Sequence, residues 1–173
     1  MRVVNVHQRL LHAPADRVGE LLASLGSPAD RLWPQAGWPR MKLDRALEVG
    51  ARGGHGPIRY RVVDWEPARV VRFRFERMPG IDGWHQFEIL DATPSHCLLE
   101  HRIEANFRGR AALWWLAVIR PLHDACVEDV LSQAQASLGD VPRAVPRSPY
   151  VRALMRGWGL LRSRRRTKGP HVA

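Results

Sequence analysis

Four histidines are the residues of this chain best placed to do chemistry. His85 and His101 fall at alternating positions of two successive strand-like stretches, on the sides that also carry Phe87, Ile89, Leu99 and Ile103. His123 falls on the apolar stripe of a long helical stretch. A buried imidazole can hydrogen-bond a ligand or act as general acid or base near neutral pH. Bonded to a backbone carbonyl, the same side chain is an ordinary core residue. His7 joins the set only if the first strand turns its more polar side inward. No metal site is expected, because no histidine pair has i, i+4 spacing and no carboxylate falls among the inward positions. No cofactor is expected either. There is no G-x-S-x-G, and Gly53, Gly54 and Gly56 match neither a phosphate-binding nor a dinucleotide loop. Those glycines predict a flexible loop at a pocket mouth. Cys97 and Cys126 lie on buried stripes and read as small core residues with reduced thiols. Asp64 and Glu66 flank Trp65 beside Pro67, which reads as a solvated strand end rather than an acid–base pair.

The elements that must position these side chains follow from periodicity. Val3 to Leu11 alternates as a strand, with Val4, Val6, Gln8 and Leu10 on one face and Val3, Asn5, His7, Arg9 and Leu11 on the other. The pattern alone does not choose the inner face. Pro14 opens a helix whose Val18, Leu21, Leu22 and Leu25 share a side, and Gly26 closes it. Ser27-Pro28-Ala29-Asp30 predicts a second, short helix, stopped by Trp33-Pro34 and Trp38-Pro39. Met41 to Val49 is a weak strand. Strand patterns then dominate to Ala105, as consecutive antiparallel strands with one wet and one buried face. From Gly109 to Leu138 the period becomes helical. Leu116, Ile119, His123, Cys126, Val127, Val130 and Ala134 form its apolar stripe, with Pro121 placed to kink it. The fold class is α+β: a curved antiparallel sheet wrapped around a long C-terminal helix, with two short helices after the first strand.

The chain has 173 residues, 45% hydrophobic and 25% charged, which suits one domain plus extra length. No apolar run approaches the roughly 20 residues that span a bilayer, and the N-terminus lacks a secretion-signal core. A cytoplasmic location is expected. The net charge of +10 is unevenly placed: residues 1–140 carry 18 basic and 17 acidic groups, residues 141–173 nine basic and none acidic. We therefore divide the chain into a domain over 1–140 and a Pro- and Arg-rich tail over 141–173. In the tail, Val151, Leu154, Met155, Trp158 and Leu161 share a helical face beside Arg152, Arg156, Arg162, Arg164, Arg165 and Arg166. Such a basic amphipathic segment suits an anionic membrane surface, peripherally at the inner leaflet. It could instead pack on the body or stay disordered. Nucleic acid is not the expected partner, since Trp158 is the one stacking platform in the tail. The pattern leaves oligomeric state open.

Several segments resemble the START-related SRPBCC superfamily, whose members share the helix-grip fold. Ala13-Pro14-Ala15-Asp16-Arg17-Val18 is similar to its entry into the first helix. Val63-Asp64-Trp65-Glu66-Pro67-Ala68-Arg69-Val70-Val71-Arg72-Phe73 resembles its strand-turn-strand, and Gly83-Trp84-His85-Gln86-Phe87-Glu88 a further strand. Arg120-Pro121-Leu122-His123-Asp124 lies on the long helix, as in many bacterial members. The resemblance covers residues 2 to 138. It implies a ligand cavity between concave sheet face and long helix. Here that cavity would be lined by Tyr60, Val62, Phe73, Phe75, His85, Phe87, Ile89, His101 and Ile103, with Leu116, Ile119 and His123 from the helix. The function implied is binding or carriage of a hydrophobic small molecule, lipid-like or aromatic. The alternative is a polyketide cyclase- or dehydratase-like enzyme, with His85 and His101 as acid and base.

Overall fold

The computed structural model describes residues 1–166, with side chains as far as Gly157. Seven antiparallel strands form one sheet in the order β1-β7-β6-β5-β4-β3-β2. They are β1 (Arg2–Leu11), β2 (Lys42–Leu43), β3 (Arg52–His55), β4 (Ile58–Glu66), β5 (Val70–Phe75), β6 (Ile81–Leu90) and β7 (Cys97–Phe107). One helix, α1 (Ala15–Ala23), lies between β1 and β2. After β7, α2 (Arg110–Trp114), a π-helical turn (Trp115–Ile119) and α3 (Arg120–Leu138) follow one another without a break, and α4 (Pro149–Arg166) comes next. The fold is the helix-grip arrangement that the change of period predicts.

Side-chain alternation decides what the sheet offers the helix. In β7, Cys97, Leu99, His101, Ile103 and Ala105 are buried on one face. Register carries that face across the sheet: His101 stands opposite His7 of β1 and Phe87 of β6, while His85 stands opposite Ile103 and Phe73. The inner face of β1 is therefore the more polar one, with Val3, Asn5, His7, Arg9 and Leu11. Val4, Val6 and Leu10 are 50%, 40% and 46% exposed. Val127, Val130, Leu131 and Ala134 of α3 close over the sheet in one core with Leu11, Leu22, Phe73, Phe87 and Leu99. Gly139, at φ +86°, stops α3 in the left-handed conformation that favours glycine.

Two local expectations are corrected, and the expected kink site proves to carry a π turn. The second short helix does not form. Asp30 instead accepts from the backbone N–H groups of Gly26, Leu32 and Trp33 at 2.8–2.9 Å, so the helix-start residues tie down a loop. The glycine-rich loop is mostly strand. A Cβ at Gly53 would lie 2.0 Å from the Lys42 oxygen, and one at Gly54 1.9 Å from the Ile58 oxygen. Glycine here allows close strand approach rather than mobility. In the long helix, Pro121 has no N–H to offer the Ala117 carbonyl four residues back. The helix widens into the π turn just ahead of it, and the Tyr150 hydroxyl donates to that carbonyl.

The tail begins against the body. Val151 is 8% exposed, Leu154 and Met155 are half-buried, and the Arg147 guanidinium pairs with Asp129, whose Oδ2 also accepts from the Trp38 indole at 2.7 Å. Arg152 and Arg156 are exposed. The side chains of Trp158, Arg162, Arg164, Arg165 and Arg166 lie outside the described residues.

Candidate functional site

A continuous series of rings crosses the interior from one end of the sheet to the other. Trp33 stands 4.7 Å from His55, and His55 5.9 Å from Tyr60, centroid to centroid. Tyr60 lies 5.0 Å from His85, which stacks on Phe73 at 5.0 Å and Phe75 at 5.3 Å. His85 is 5.6 Å from His101, His101 5.1 Å from His123, and His123 6.1 Å from His7. The alternation of β4, β5, β6 and β7 delivers these rings to one face, and α3 adds His123.

Of the expected lining residues, Tyr60, Val62, Phe73, His85, Phe87, Ile89, His101 and Ile103 are at most 8% exposed and on that face. Phe75, Ile119 and His123 are half-buried beside it. Leu116 is not: it points outward, 55% exposed, and Trp115 takes the inward place at 2%. The π turn holds one residue more than an α turn, so the inward position moves back by one. Trp115 rests on Phe107 at 4.6 Å and on His123 at 5.9 Å.

The histidines of the series are short of partners. His85 Nε2, His101 Nδ1 and His123 Nε2 are buried with no hydrogen-bond partner among the described residues. Burial holds the pKa of His85 and of His101 well below the ordinary imidazole value, and neighbouring histidines add to the effect. Both are neutral at physiological pH, each with a lone pair or an N–H to give. Burial likewise lowers His55 to about 3 and pushes the Tyr60 phenol up. The Cys126 thiol is pushed up by burial, and Cys97 likewise, as suits inert core thiols. Asp64 and Glu66 face arginines at the surface, Arg72 at 3.9 Å and Arg69 at 2.5 Å, away from the rings.

Each end of the series has its own polar setting. At the Tyr60 end a pocket of about 450 Å³ opens where the β3–β4 hairpin meets the turn after β5. His55 and Tyr60 line it together with Arg40, Lys42, Arg52, Arg59 and Arg77, against one carboxylate, Glu76. That carboxylate is already engaged by Arg52 at 3.2 Å and Arg61 at 3.1 Å. Among the described residues no carboxylate lies within ion-pair distance of Arg40, Lys42, Arg59 or Arg77. The pocket is thus an electropositive mouth with an aromatic floor.

At the other end, α3 brings carboxylates to the rings, which the sequence pattern did not place there. His7 Nε2 lies 3.2 Å and His123 Nδ1 3.3 Å from Asp124 Oδ1, and Asn5 donates to the same oxygen at 3.0 Å. His7 Nδ1 meets Glu128 Oε1 at 2.8 Å, and Arg9 holds Glu128 Oε2 at 2.6 Å. Burial alone would lower the pKa of His7, but its hydrogen bonds to Asp124 and Glu128 outweigh that and raise it. Burial would raise Asp124, and its bonds from His123 and His7 instead hold it below the usual carboxylate range. The signal was present in the sequence: Asp124 and Glu128 are i, i+4 on one helix face, next to His123.

No family model matches the chain, and no curated protein does. Solved structures match in fold. Norcoclaurine synthase from Thalictrum flavum, with a transition-state analogue, aligns with a TM-score of 0.61 at 12% identity, over 80% of this chain and 96% of its own. The same enzyme with dopamine and hydroxybenzaldehyde gives 0.61 at 12%, over 80% and 88%. CalU16 from Micromonospora echinospora gives 0.57 at 16%, over 95% and 96%. At these identities the likeness establishes the helix-grip fold alone.

Proposed function

We propose that this protein binds a small organic molecule with an aromatic or apolar body and an anionic end. One observation carries the reading: the 450 Å³ pocket places an aromatic floor, Tyr60 and His55, beneath five cationic side chains and one already paired carboxylate. An apolar body would rest on the rings while a carboxylate, sulfonate or phosphate meets the guanidinium groups, which recognise such anions bidentately. The helix-grip relative from Thalictrum was solved with small aromatic molecules, dopamine and hydroxybenzaldehyde, and this supports the aromatic body. The hydrophobic binder expected from sequence is thereby given a polar end and a position at the sheet's end rather than beneath the helix.

The test uses 8-anilinonaphthalene-1-sulfonate and its neutral analogue N-phenyl-1-naphthylamine as fluorescent probes of the full chain. The sulfonate should bind more tightly, and the paired substitution Arg40→Gln, Arg77→Gln should weaken it about 10- to 100-fold, the loss of one or two charge-assisted contacts. The neutral probe should be nearly unaffected. Equal loss for both probes, or no preference for the sulfonate, defeats the proposal. Native mass spectrometry of freshly purified protein should show a retained acidic molecule.

A second reading, an acid–base enzyme of the cyclase or dehydratase kind, draws support from the unpartnered nitrogens of His85 and His101. A neutral buried imidazole is a competent base or hydrogen-bond donor. On a substrate found through the retained molecule, His85→Phe with His101→Phe should abolish turnover while leaving binding at the cationic mouth.

A further inference from the structure

The end of the ring series away from the cationic mouth has the donors and the spacing of a metal centre. We propose that His7, His123 and Asp124 bind one divalent transition-metal ion of the zinc class, with Asn5 as fourth ligand. The inference is independent of the small-molecule reading, which concerns the other end of the sheet.

The geometry comes first. Four ligands at about 2.1 Å from a tetrahedral ion stand about 3.4 Å from one another. Asp124 Oδ1 lies 3.2 Å from His7 Nε2 and 3.3 Å from His123 Nδ1, and the three donor atoms all fall within 4.8 Å of one another. Two imidazole nitrogens and a carboxylate oxygen form a donor set that suits zinc and its neighbours. The ligands come from β1 and from α3, elements far apart in sequence. This is why a search for paired histidines at helical spacing does not find them.

The surroundings add an observation of their own. Asn5 places its amide nitrogen 3.0 Å from Asp124 Oδ1, while its own oxygen is buried without a partner. Turning the amide over brings that orphaned oxygen to the 3.0 Å position as a further hard donor, and the two orientations are exchangeable by hydrogen bonding. The outer contacts are also those of a metal ligand. His7 Nδ1 is 2.8 Å from Glu128 Oε1, so with an ion bound the ring proton would sit on Nδ1 and leave the Nε2 lone pair to the metal. Glu128 is in turn held by Arg9, and Arg9 by Gln135 Oε1 at 2.7 Å. Arg120 sits 3.7 Å from the other oxygen, Oδ2, and leaves Oδ1 to the cluster. An ion has a way in, since Asp124 and Glu128 border the pocket of about 240 Å³ between α3 and residues 145–151.

The competing account is that His7 is simply clamped as a cation between two carboxylates. Calorimetric titration of chelator-treated full-length protein with Zn(II) separates the two. We expect one tightly held equivalent. Co(II) should give visible ligand-field bands at the same stoichiometry, displaced by zinc. Asp124→Asn, close to isosteric, should weaken binding at least 100-fold and remove the bands. Glu128→Gln should weaken binding 10- to 100-fold without removing them, as loss of an outer partner does. His123→Gln serves as a second ligand variant, with circular dichroism checking that each variant folds. No saturable equivalent in the wild-type protein overturns the proposal. So does an equivalent that survives in folded Asp124→Asn and His123→Gln variants, which would place it on other histidines.

Discussion

His85 and His55 show what burial of an imidazole does to stability. His85 is 8% exposed and faces Tyr60, Phe73, Phe75 and His101; His55 faces Trp33, Tyr60 and the Arg59 charge. Both have a folded pKa below the unfolded value near 6.5. The unfolded chain therefore takes up protons first as the pH falls. The stability is fully present above pH 6.5 and is lost as the pH drops toward the folded values, about 3 for His55. Each group contributes up to about 1.4 kcal/mol per pH unit in that window. Urea midpoints measured from pH 7.5 to 4.5 should fall continuously. His85→Phe keeps the stack on Phe73 and removes an unpaired nitrogen, so it should stabilise the fold by about 1 kcal/mol at pH 7.5 and flatten the acid slope. A midpoint that stays level below pH 6, or a destabilised His85→Phe, would contradict this account of the site.

At the scale of elements, the π turn is the most informative departure from expectation. Trp115 occupies the inward place that regular helical spacing assigns to Leu116. Trp115→Ala should cost about 3–5 kcal/mol in thermal or denaturant unfolding and Leu116→Ala less than about 0.5. The inner strands were legible because Phe73, Phe87, Leu99 and Ile103 recur with period two between short turns, and so was the long helix after Asn106. What was hidden is what a neighbour decides. Val4, Val6 and Leu10 make the outer face of β1 more apolar than its inner one, and the pairing with β7, not the pattern, turns His7 inward. Asp30 satisfies loop amides as readily as a helix start. Gly53 and Gly54 look like a loop until Lys42 and Ile58 press against them. Asp124 and Glu128 read as solvated because charged helix residues usually are, and here β1 meets them with His7 and Arg9.

For the whole molecule, the tail is a part of the fold as well as a store of charge. Removing residues after Asp140 deletes Val151 from its bed on α3 and the Arg147 partner of Asp129. It should lower unfolding stability by about 2 kcal/mol, the worth of one buried aliphatic side chain and its neighbours. Unchanged stability would show that the helix merely rests on the body. The exposed Arg152 and Arg156 support the anionic-surface proposal: the full chain should co-sediment with anionic vesicles at low salt, and neither with neutral vesicles nor after truncation. The same division of charge bears on β1, a ten-residue strand with no further strand beyond it among the described residues and with Val4, Val6 and Leu10 exposed. Such an edge invites a second copy to add a strand, the first step of precipitation. Mutual repulsion among chains of net charge +10 should oppose that step. Colloidal lifetime should therefore depend on a strand at one end of the chain and arginines at the other, and concentrated salt should shorten it by screening the second while leaving the first untouched.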